Sequence, residues 1–144
     1  MTVETLDRIE GLVHADTQVH DDRVDLTASS VYRVAEAGRV DFGGGELADA
    51  SLAPVDTERR NPADDYGWWN LAPGGYLVAF NETLGGDEPV RVEPRRAVTA
   101  RGGSLPSVTT RSFDPLPLTV ADTAGSDVGL RIKENARVAT VRRG

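Results

Sequence analysis

The segment best suited to chemistry places one cation, two glycines and a hydroxyl side by side: Arg101, Gly102, Gly103 and Ser104. A guanidinium binds phosphate oxygens through paired hydrogen bonds, and glycine lets backbone N–H groups approach an anion closely. These residues therefore predict a phosphate-binding loop. A tight turn that uses glycine for its backbone angles explains the same residues equally well, so both interpretations stay open.

Two pairs of neighbouring residues also have a functional and a structural interpretation. Arg95 and Arg96 form a basic spot, although such pairs are usually solvated surface residues. Trp68 and Trp69 could stack on a nucleobase, although packing in the core or at a subunit interface is the commoner role of tryptophan. The two histidines are six residues apart and have no third ligand close in sequence, so a histidine metal site is not predicted.

Length and charge limit the classes of function. The 144 residues are enough for one domain with a hydrophobic core, and we interpret residues 1–144 as a single β domain. A net charge of -7 argues against binding duplex nucleic acid, because that affinity comes from neutralising phosphates. The sixteen basic residues include a single lysine, which fits a halophilic protein and equally a GC-rich genome.

Cysteine content and hydropathy bear on the compartment. The chain has no cysteine, which excludes disulfides and thiolate metal sites. No run approaches the roughly 20 apolar residues that a membrane-spanning helix needs. The first residues also lack the basic and apolar regions of a signal peptide. We therefore expect a cytoplasmic protein with no membrane partner.

The elements that would position these residues are short strands. Apolar alternation with a turn every eight to twelve residues or so predicts an all-β fold with little helix, either a barrel or a jelly-roll sandwich. Residues 67–84 contain both tryptophans and an apolar strand, and we expect this hairpin to be the nucleus of the core. Residues 97–100 are interpreted as a short strand, Pro117 as the mark of an edge strand, and residues 46–65 as a surface excursion.

Four segments, taken in order, resemble the superfamily of trimeric dUTPases and dCTP deaminases and are most similar to its short archaeal branch. Residues 24–27 (VDLT) resemble its early V-D-L strand, and residues 73–82 (PGGYLVAFNE) resemble its P-G-x-Y-x-V-x-x-N-E strand. Residues 101–105 (RGGSL) stand where the family has G-R-S-S-L, and residues 133–139 (KENARVA) resemble K-N-A-R-I-A-Q in its last strand. The resemblance implies the distorted jelly-roll or β-barrel of short mixed strands that dUTPases share.

The resemblance also implies a reaction, a cofactor and an assembly. In this family, water attacks the α-phosphate of a deoxynucleoside triphosphate, and dUTP is split into dUMP and pyrophosphate. Magnesium assists the reaction, and the active site is shared between subunits of a homotrimer.

The family's functional positions carry over to particular residues of this chain. Asp114 becomes the base that orients the water, and Arg101 and Ser104, with the glycines between them, hold the phosphates. Asp25 would face the metal-bound triphosphate as a magnesium ligand. Each carboxylate has a structural alternative, since Asp114 could form an Asp-Pro turn and Asp25 could be a buried capping or turn residue.

Departures from the family pattern lead to a second hypothesis. Arg101 precedes its glycines, only Ser104 remains of the serine pair, and the glycines expected after Asp114 are missing. The chain could therefore be a catalytically degenerate relative that binds a nucleotide or serves in assembly. Thr119 and Val120 stand where deaminases carry a glutamate, so dCTP deamination is the least expected chemistry.

Overall fold

The computed structural model describes residues 3–143, in which β-strands joined by short turns dominate. In chain order the elements are α1 (Val3–Asp7), β1 (Ile9–Glu10), α2 (Ala15–Gln18), β2 (Val24–Glu36), β3 (Ser51–Pro54), β4 (Trp68–Leu71), β5 (Gly74–Phe80), β6 (Thr83–Leu84), β7 (Val90–Pro94), α3 (Arg96–Thr99), β8 (Gly103–Ser104), β9 (Val108–Thr110), β10 (Leu116–Val120), β11 (Leu130–Lys133) and β12 (Arg137–Arg143). The predicted all-β class with little helix is confirmed, because α1, α2 and α3 have only four or five residues each.

Strand β2, with 13 residues, is the element on which the main sheet is built. The sheet has the order β8-β10-β5-β2-β12-β7-β9, with β3 paired to β2 beside this path. The first residues of β2 pair with β12, the middle of the strand pairs with β5, and its last residues pair with β3. Two small sheets, β1-β6 and β4-β11, complete the fold.

Position along β2 decides which part of the interior each side chain enters. Val24 and Leu26 enter one apolar cluster, while Ala28 and Val31 enter a second, larger cluster. All four side chains are buried, and full burial of each large aliphatic side chain stabilises the fold by about 1.5–3 kcal/mol. Asp25 lies between Val24 and Leu26 and is also completely buried, which is unusual for a carboxylate and points to specific partners.

Residues 67–84 supply the core as expected, but they do not form a hairpin. Trp69 and Tyr76 are buried in the larger cluster, whereas Trp68 is only half-buried. Strand β4 pairs with β11, and β5 pairs with β2 and β10. Gly74, at φ +141, lies where the chain passes from the small sheet into the main one, and a left-handed backbone of this kind favours glycine.

Three local expectations have different outcomes. Residues 97–99 lie in helix α3 and residue 100 caps it, so the predicted strand at 97–100 is wrong; a single helical turn there buries Val98 in the larger cluster. Pro117 lies opposite Leu77 of β5. On its other side β10 pairs with β8 only through its last two residues, so Pro117 has a neighbouring strand on one side only, as expected for an edge position. The excursion at residues 46–65 contains β3, and its residue Glu58 forms a bridge with Trp68.

Helix length also bears on membranes. No helix within residues 3–143 combines the length and the apolar character that crossing a bilayer requires.

Candidate functional site

The buried carboxylate of Asp25 lies at the centre of a network of cationic and hydroxyl donors. Thr140, its cross-strand neighbour on β12, donates its hydroxyl to Oδ1 at 2.8 Å. Arg137 donates Nη1 to Oδ2 at 3.0 Å, and Nε2 of His20 lies 3.2 Å from the same oxygen. Both oxygens of Asp25 therefore have close partners, which is the condition for burying a charge.

Two further arginines surround the same carboxylate. Nε of Arg23 lies 3.6 Å from Oδ1 of Asp25, and Nε of Arg95 lies 3.9 Å from Oδ2. We call Arg23, Arg95 and Arg137 the arginine cluster. Each of these side chains is between 24% and 33% exposed, so each reaches solvent while it borders a buried anion. Arg23 also contacts the exposed Asp22 at 3.3 Å, but positive charge still exceeds negative charge here.

The electrostatics of Arg95 show what this surplus does. Burial lowers the pKa of Arg95, the negative charge of Asp25 opposes that shift, and the positive charges of Arg137 and Arg23 lower the pKa further. A guanidinium stays protonated in spite of such shifts. The cluster is therefore a partly dehydrated group of cations that an added anion would stabilise.

Hydrogen bonds to the backbone fix the direction of two of these arginines. Arg95 donates Nη1 to the carbonyl oxygen of Arg137 at 3.2 Å. Arg137 donates Nη1 to the carbonyl oxygen of Thr17 in α2 at 3.3 Å. Strands β7 and β12 and helix α2 thus hold the cluster in place, and the cost of ordering these side chains is met before any ligand arrives.

Helix α2 is anchored by a second buried network below the cluster. Gln18 donates Nε2 to the backbone oxygen of Asp25 and to Oε2 of Glu82, each at 2.9 Å. Its own Oε1 accepts from the backbone N–H groups of Val13 and His14 at 2.7 and 2.8 Å. Because Gln18 is 1% exposed, these bonds are protected from water and keep α2 against β2.

The predicted base, Asp114, lies in the turn between β9 and β10. It is exposed, and its Oδ2 accepts a hydrogen bond from the hydroxyl of Ser112 at 2.8 Å. The residue lines a cavity of about 210 Å³ whose walls include Phe80 and Phe113. An exposed carboxylate beside a small apolar cavity could accept a proton from a bound water.

The predicted phosphate loop lies elsewhere. Arg101 follows α3 and donates Nη1 to the carbonyl oxygen of Ala97 at 3.0 Å. It lines a cavity of about 180 Å³ together with Trp68 and Arg137 of the arginine cluster. The structure therefore brings Arg101 to the same cavity as Arg137, whereas Asp114 lines a different one.

The other residues of that loop have structural roles. Gly102 has φ +101, a backbone angle that a side chain would strain. A Cβ at Gly103 would lie 2.6 Å from Cγ1 of Val98 and 2.9 Å from Cδ2 of Leu130, so close packing requires glycine there. Ser104 is exposed in β8, where it pairs with Thr119. The backbone of this loop packs against the core, which does not leave it free to wrap a phosphate.

The surroundings of Asp25 do not fit a divalent cation. Its two oxygens already face a hydroxyl, a histidine nitrogen and three guanidinium groups, and a cation would add to that positive charge. Across residues 3–143, no group of three or more His, Cys, Asp or Glu side chains is arranged to hold a metal. The magnesium ligand predicted at Asp25 therefore has no support in the geometry.

Sequence reasoning missed the arginine cluster. The sequence predicts Arg95 to be half of a solvated surface pair, yet its side chain points to Asp25. Arg137 lies within the KENARVA segment and Arg23 directly precedes VDLT, but neither was singled out. A signal was present in the sequence, since VDLT is preceded by Arg23 and KENARVA contains Arg137. Their convergence on one carboxylate depends on strand pairing.

Comparison with known proteins gives a consistent result. No protein-family model matches the chain. A "Probable deoxyuridine 5'-triphosphate nucleotidohydrolase" of Methanosarcina acetivorans is 27% identical over 138 residues, which cover 90% of this chain and 74% of the relative. Proteins of the same name from Methanosarcina mazei and Methanococcoides burtonii are 26% identical over 138 residues and 28% identical over 99 residues. They are covered over 74% and 55% of their own lengths.

A solved structure shares the fold. The 2'-deoxycytidine 5'-triphosphate deaminase from Agrobacterium tumefaciens superposes with a TM-score of 0.53 at 15% identity, over 96% of this chain. The chain spans 44% of that protein's length, and a likeness at this identity concerns the fold alone. The sequence relatives and the shared fold together show that the chain is similar to the dUTPase and dCTP deaminase superfamily.

Proposed function

We propose that this chain is a dUTPase-like nucleotide hydrolase that holds the triphosphate of dUTP on the arginine cluster and releases dUMP and pyrophosphate. The observation that carries the proposal is the surplus of positive charge around Asp25, in a protein whose net charge is -7. A triphosphate carries several negatively charged oxygens close together. A group of arginines with surplus positive charge favours such a ligand. Relatives named as probable dUTPases support the same activity.

The proposed reaction is the attack of water on the α-phosphorus. The water oxygen forms a new bond to that phosphorus, the bond to the bridging oxygen breaks, and pyrophosphate leaves with the electron pair. Asp114 accepts the proton of the water, while the guanidinium groups take up charge that develops on the departing phosphates. Magnesium would arrive with the triphosphate as part of the substrate, because the residues around Asp25 do not fit it.

The separation of the two halves of the site motivates a homotrimer. Asp114 lines one cavity, and Arg101 and Arg137 line another, so Asp114 of one copy would serve the arginine cluster of a neighbouring copy. Light scattering of the purified protein tests the assembly, and a monomer at assay concentration would contradict it.

The activity is tested by measuring pyrophosphate release from dUTP, dCTP and dTTP with Mg²⁺. Arg95→Ala is expected to weaken dUTP binding by about 10- to 100-fold, the value of one charge-assisted hydrogen bond of about 1.5–3 kcal/mol. Arg91→Ala is the matched control, since Arg91 lies on the same strand and pairs with Glu93 at the surface. Equal dUTP affinity in the two variants would contradict a role for the arginine cluster.

Salt must be varied in this assay because the chain is acidic. Raising the ionic strength from about 0.15 M to about 1 M shortens the Debye length from about 8 Å to about 3 Å and so screens self-repulsion. Circular dichroism at each salt concentration ensures that inactive protein is also folded protein.

Mixing two impaired variants, at a dUTP concentration where neither alone shows turnover, tests whether the site is shared. Arg95→Ala keeps Asp114, and Asp114→Asn keeps the arginine cluster. If neighbouring copies complete each other's site, refolding equal amounts together should restore about one quarter of the sites in a random cyclic trimer. No recovery in the mixture, with mixed trimers verified by mass, would exclude a shared site.

A second candidate function is nucleotide binding without hydrolysis. The observation that favours it is again the position of Asp114, which lines a different cavity from Arg137 of the arginine cluster within one copy of the protein. In that case dUTP would bind with an affinity that depends on Arg95, but no pyrophosphate would appear at either salt concentration. Turnover that disappears in Asp114→Asn would instead establish the hydrolase.

A further inference from the structure

We propose that the base of the bound nucleotide stacks on Trp68, in the apolar cavity that adjoins the arginine cluster. This inference rests on the proposed function, because it assigns the base of the same nucleotide whose phosphates the cluster holds. We call the cavity of about 180 Å³ that Trp68, Arg101 and Arg137 line the Trp68 pocket.

The walls of the Trp68 pocket suit a flat organic ring with an anionic tail. Its walls include the buried side chains of Val98, Leu130, Ile132 and Val138. Its other lining residues include four cations: Arg101, Arg131, Lys133 and Arg137. Among the residues that the structure describes, no carboxylate lines the pocket, although acidic residues outnumber basic ones in the chain. Such a distribution attracts a molecule that combines an apolar face with negative charge.

The indole of Trp68 already receives planar and cationic groups. Cζ of Arg60 lies 4.2 Å from the ring centroid, and Nζ of Lys133 lies 5.7 Å from it. A guanidinium at stacking distance shows that this face of the ring accommodates a flat partner. A nucleobase that stacks on this face would displace Arg60, an exposed side chain, into solvent.

The neighbouring tryptophan serves as an internal comparison. Trp69 is 3% exposed, and its Nε1 donates to the carbonyl oxygen of Val55 at 3.1 Å. Trp69 therefore belongs to the core, whereas Trp68 is half-buried and borders the pocket. Two adjacent tryptophans with opposite burial are what alternation along strand β4 produces.

Arg137 connects the two parts of the nucleotide. Its side chain lines the Trp68 pocket and also donates to Asp25 in the arginine cluster. A base on Trp68 and phosphates near Arg137 and Arg95 would therefore belong to one continuous ligand. Arg101, at the same pocket, would then contact the sugar or the first phosphate, which keeps the anion-binding role that the sequence suggested for it.

The test compares dUTP with inorganic tripolyphosphate, which has the charge and lacks the base. Isothermal titration of Trp68→Leu should show dUTP affinity reduced by about 5- to 100-fold, the range found for loss of one base–aromatic stack. Tripolyphosphate affinity should not change. Tyr66→Leu, a nearby exposed aromatic, is the control and should bind both ligands as the wild type does. Unchanged dUTP affinity in Trp68→Leu would overturn the inference.

Fluorescence gives a second readout if Trp68→Leu fails to fold. Binding of dUTP should quench the emission of the wild type, and Trp68→Phe, which leaves only the buried Trp69, should lose that quenching. Quenching that persists in Trp68→Phe would overturn the inference. So would a change of molecular mass in either variant without a change of dUTP affinity, because Trp68 would then serve subunit packing.

The same data separate this inference from the proposed function. If tripolyphosphate and dUTP bind equally and both depend on Arg95, the phosphate site stands and the Trp68 pocket does not hold the base. If neither ligand binds, the proposed function itself fails.

Discussion

Arg137 on β12 donates Nη1 to the carboxylate of Asp25 on β2 at 3.0 Å, across 112 residues of sequence. Strands β2 and β12 are paired neighbours within the main sheet, and this bond joins them. It places a cation where β12, α2 and the Trp68 pocket meet. The negative charge of Asp25 thus offsets the repulsion among the three arginines that lie around it. It holds the arginine cluster together, and we do not expect it to take part in chemistry.

Asp25→Asn should therefore reduce stability strongly. The substitution removes the buried negative charge and leaves three guanidinium groups facing one another, a change that typically costs about 3–5 kcal/mol. The measurement is the free energy of unfolding from urea denaturation at fixed salt. Asp127→Asn, at an exposed position, is the control and should stay within about 0.5 kcal/mol of the wild type. A value for Asp25→Asn as small as the control would mean that the arginines do not depend on this carboxylate.

The structure shows how much the sequence could predict and where it stopped. Alternation in β5 and β11 marks real strands, because burial alternates along each of them and side-chain direction has a period of two. In β2 the first five residues are buried on both faces of the strand. Helix α3 escaped notice because a run such as Ala-Val-Thr has no helical preference, and docking of Val98 decides its conformation. Local propensity therefore did not predict helix α3, because the burial of Val98 decides the conformation of this segment.

The candidate site was harder to predict for a different reason. Arg95 and Arg137 are 42 residues apart, and they come together only because β7 pairs with β12. No spacing rule predicts such a contact between distant strands. Arg101 resembles part of a phosphate loop because glycines follow it, yet those glycines serve packing and the backbone turn. The sequence thus pointed to arginine, the residue type that also forms the cluster, but in a different segment of the chain.

Gly103→Ala tests whether that loop is structural. Its new Cβ would lie 2.6 Å from Cγ1 of Val98, in a packed interior where extra carbon typically costs about 1–3 kcal/mol. We expect a lower melting temperature, measured by circular dichroism. Gly43→Ala is the control, because a Cβ there would meet nothing within 4 Å. If Gly103→Ala melts as the control does and yet loses tripolyphosphate affinity, the phosphate-loop interpretation would be restored.

Glu82→Gln tests the buried network below the arginine cluster. Glu82 is 1% exposed and only accepts hydrogen bonds, from the backbone N–H and hydroxyl of Thr27 and from Nε2 of Gln18. An amide at this position would point its NH₂ group at one of these donors, and an unsatisfied buried group costs about 1–3 kcal/mol.

The expected result is a loss of unfolding free energy of that size. Faster hydrogen exchange at the amides of Val13 and His14, which Gln18 holds, should accompany it. Glu88→Gln, at an exposed position, provides the comparison. Unchanged exchange in Glu82→Gln would show that α2 does not depend on this network.

Arg142→Gln should change how stability depends on pH. Arg142 donates to Asp22 at 3.1 Å and to Glu93 at 3.2 Å, and the bond to Arg142 is the main cause that lowers the pKa of Asp22 below 3.8. Glu93 has its pKa lowered below 4.5 first by Arg91 and then by Arg142. Because both carboxyl groups bind protons more weakly when folded, they stabilise the protein above these ordinary values. That stabilisation is lost as the pH falls through the lowered pKa values.

The substitution should therefore lower stability at pH 7 and make little difference at the acid end, where both carboxyl groups are protonated in wild type and variant alike. Carboxyl NMR titration should show a larger upward shift for Asp22 than for Glu93, since Glu93 keeps Arg91 as a partner. Arg111→Gln is the matched control, because Arg111 donates to the carbonyl oxygen of Asp87 and should leave both titrations unchanged. If Asp22 titrates identically in Arg142→Gln and the wild type, the bond between β12 and the turn before β2 contributes nothing in solution.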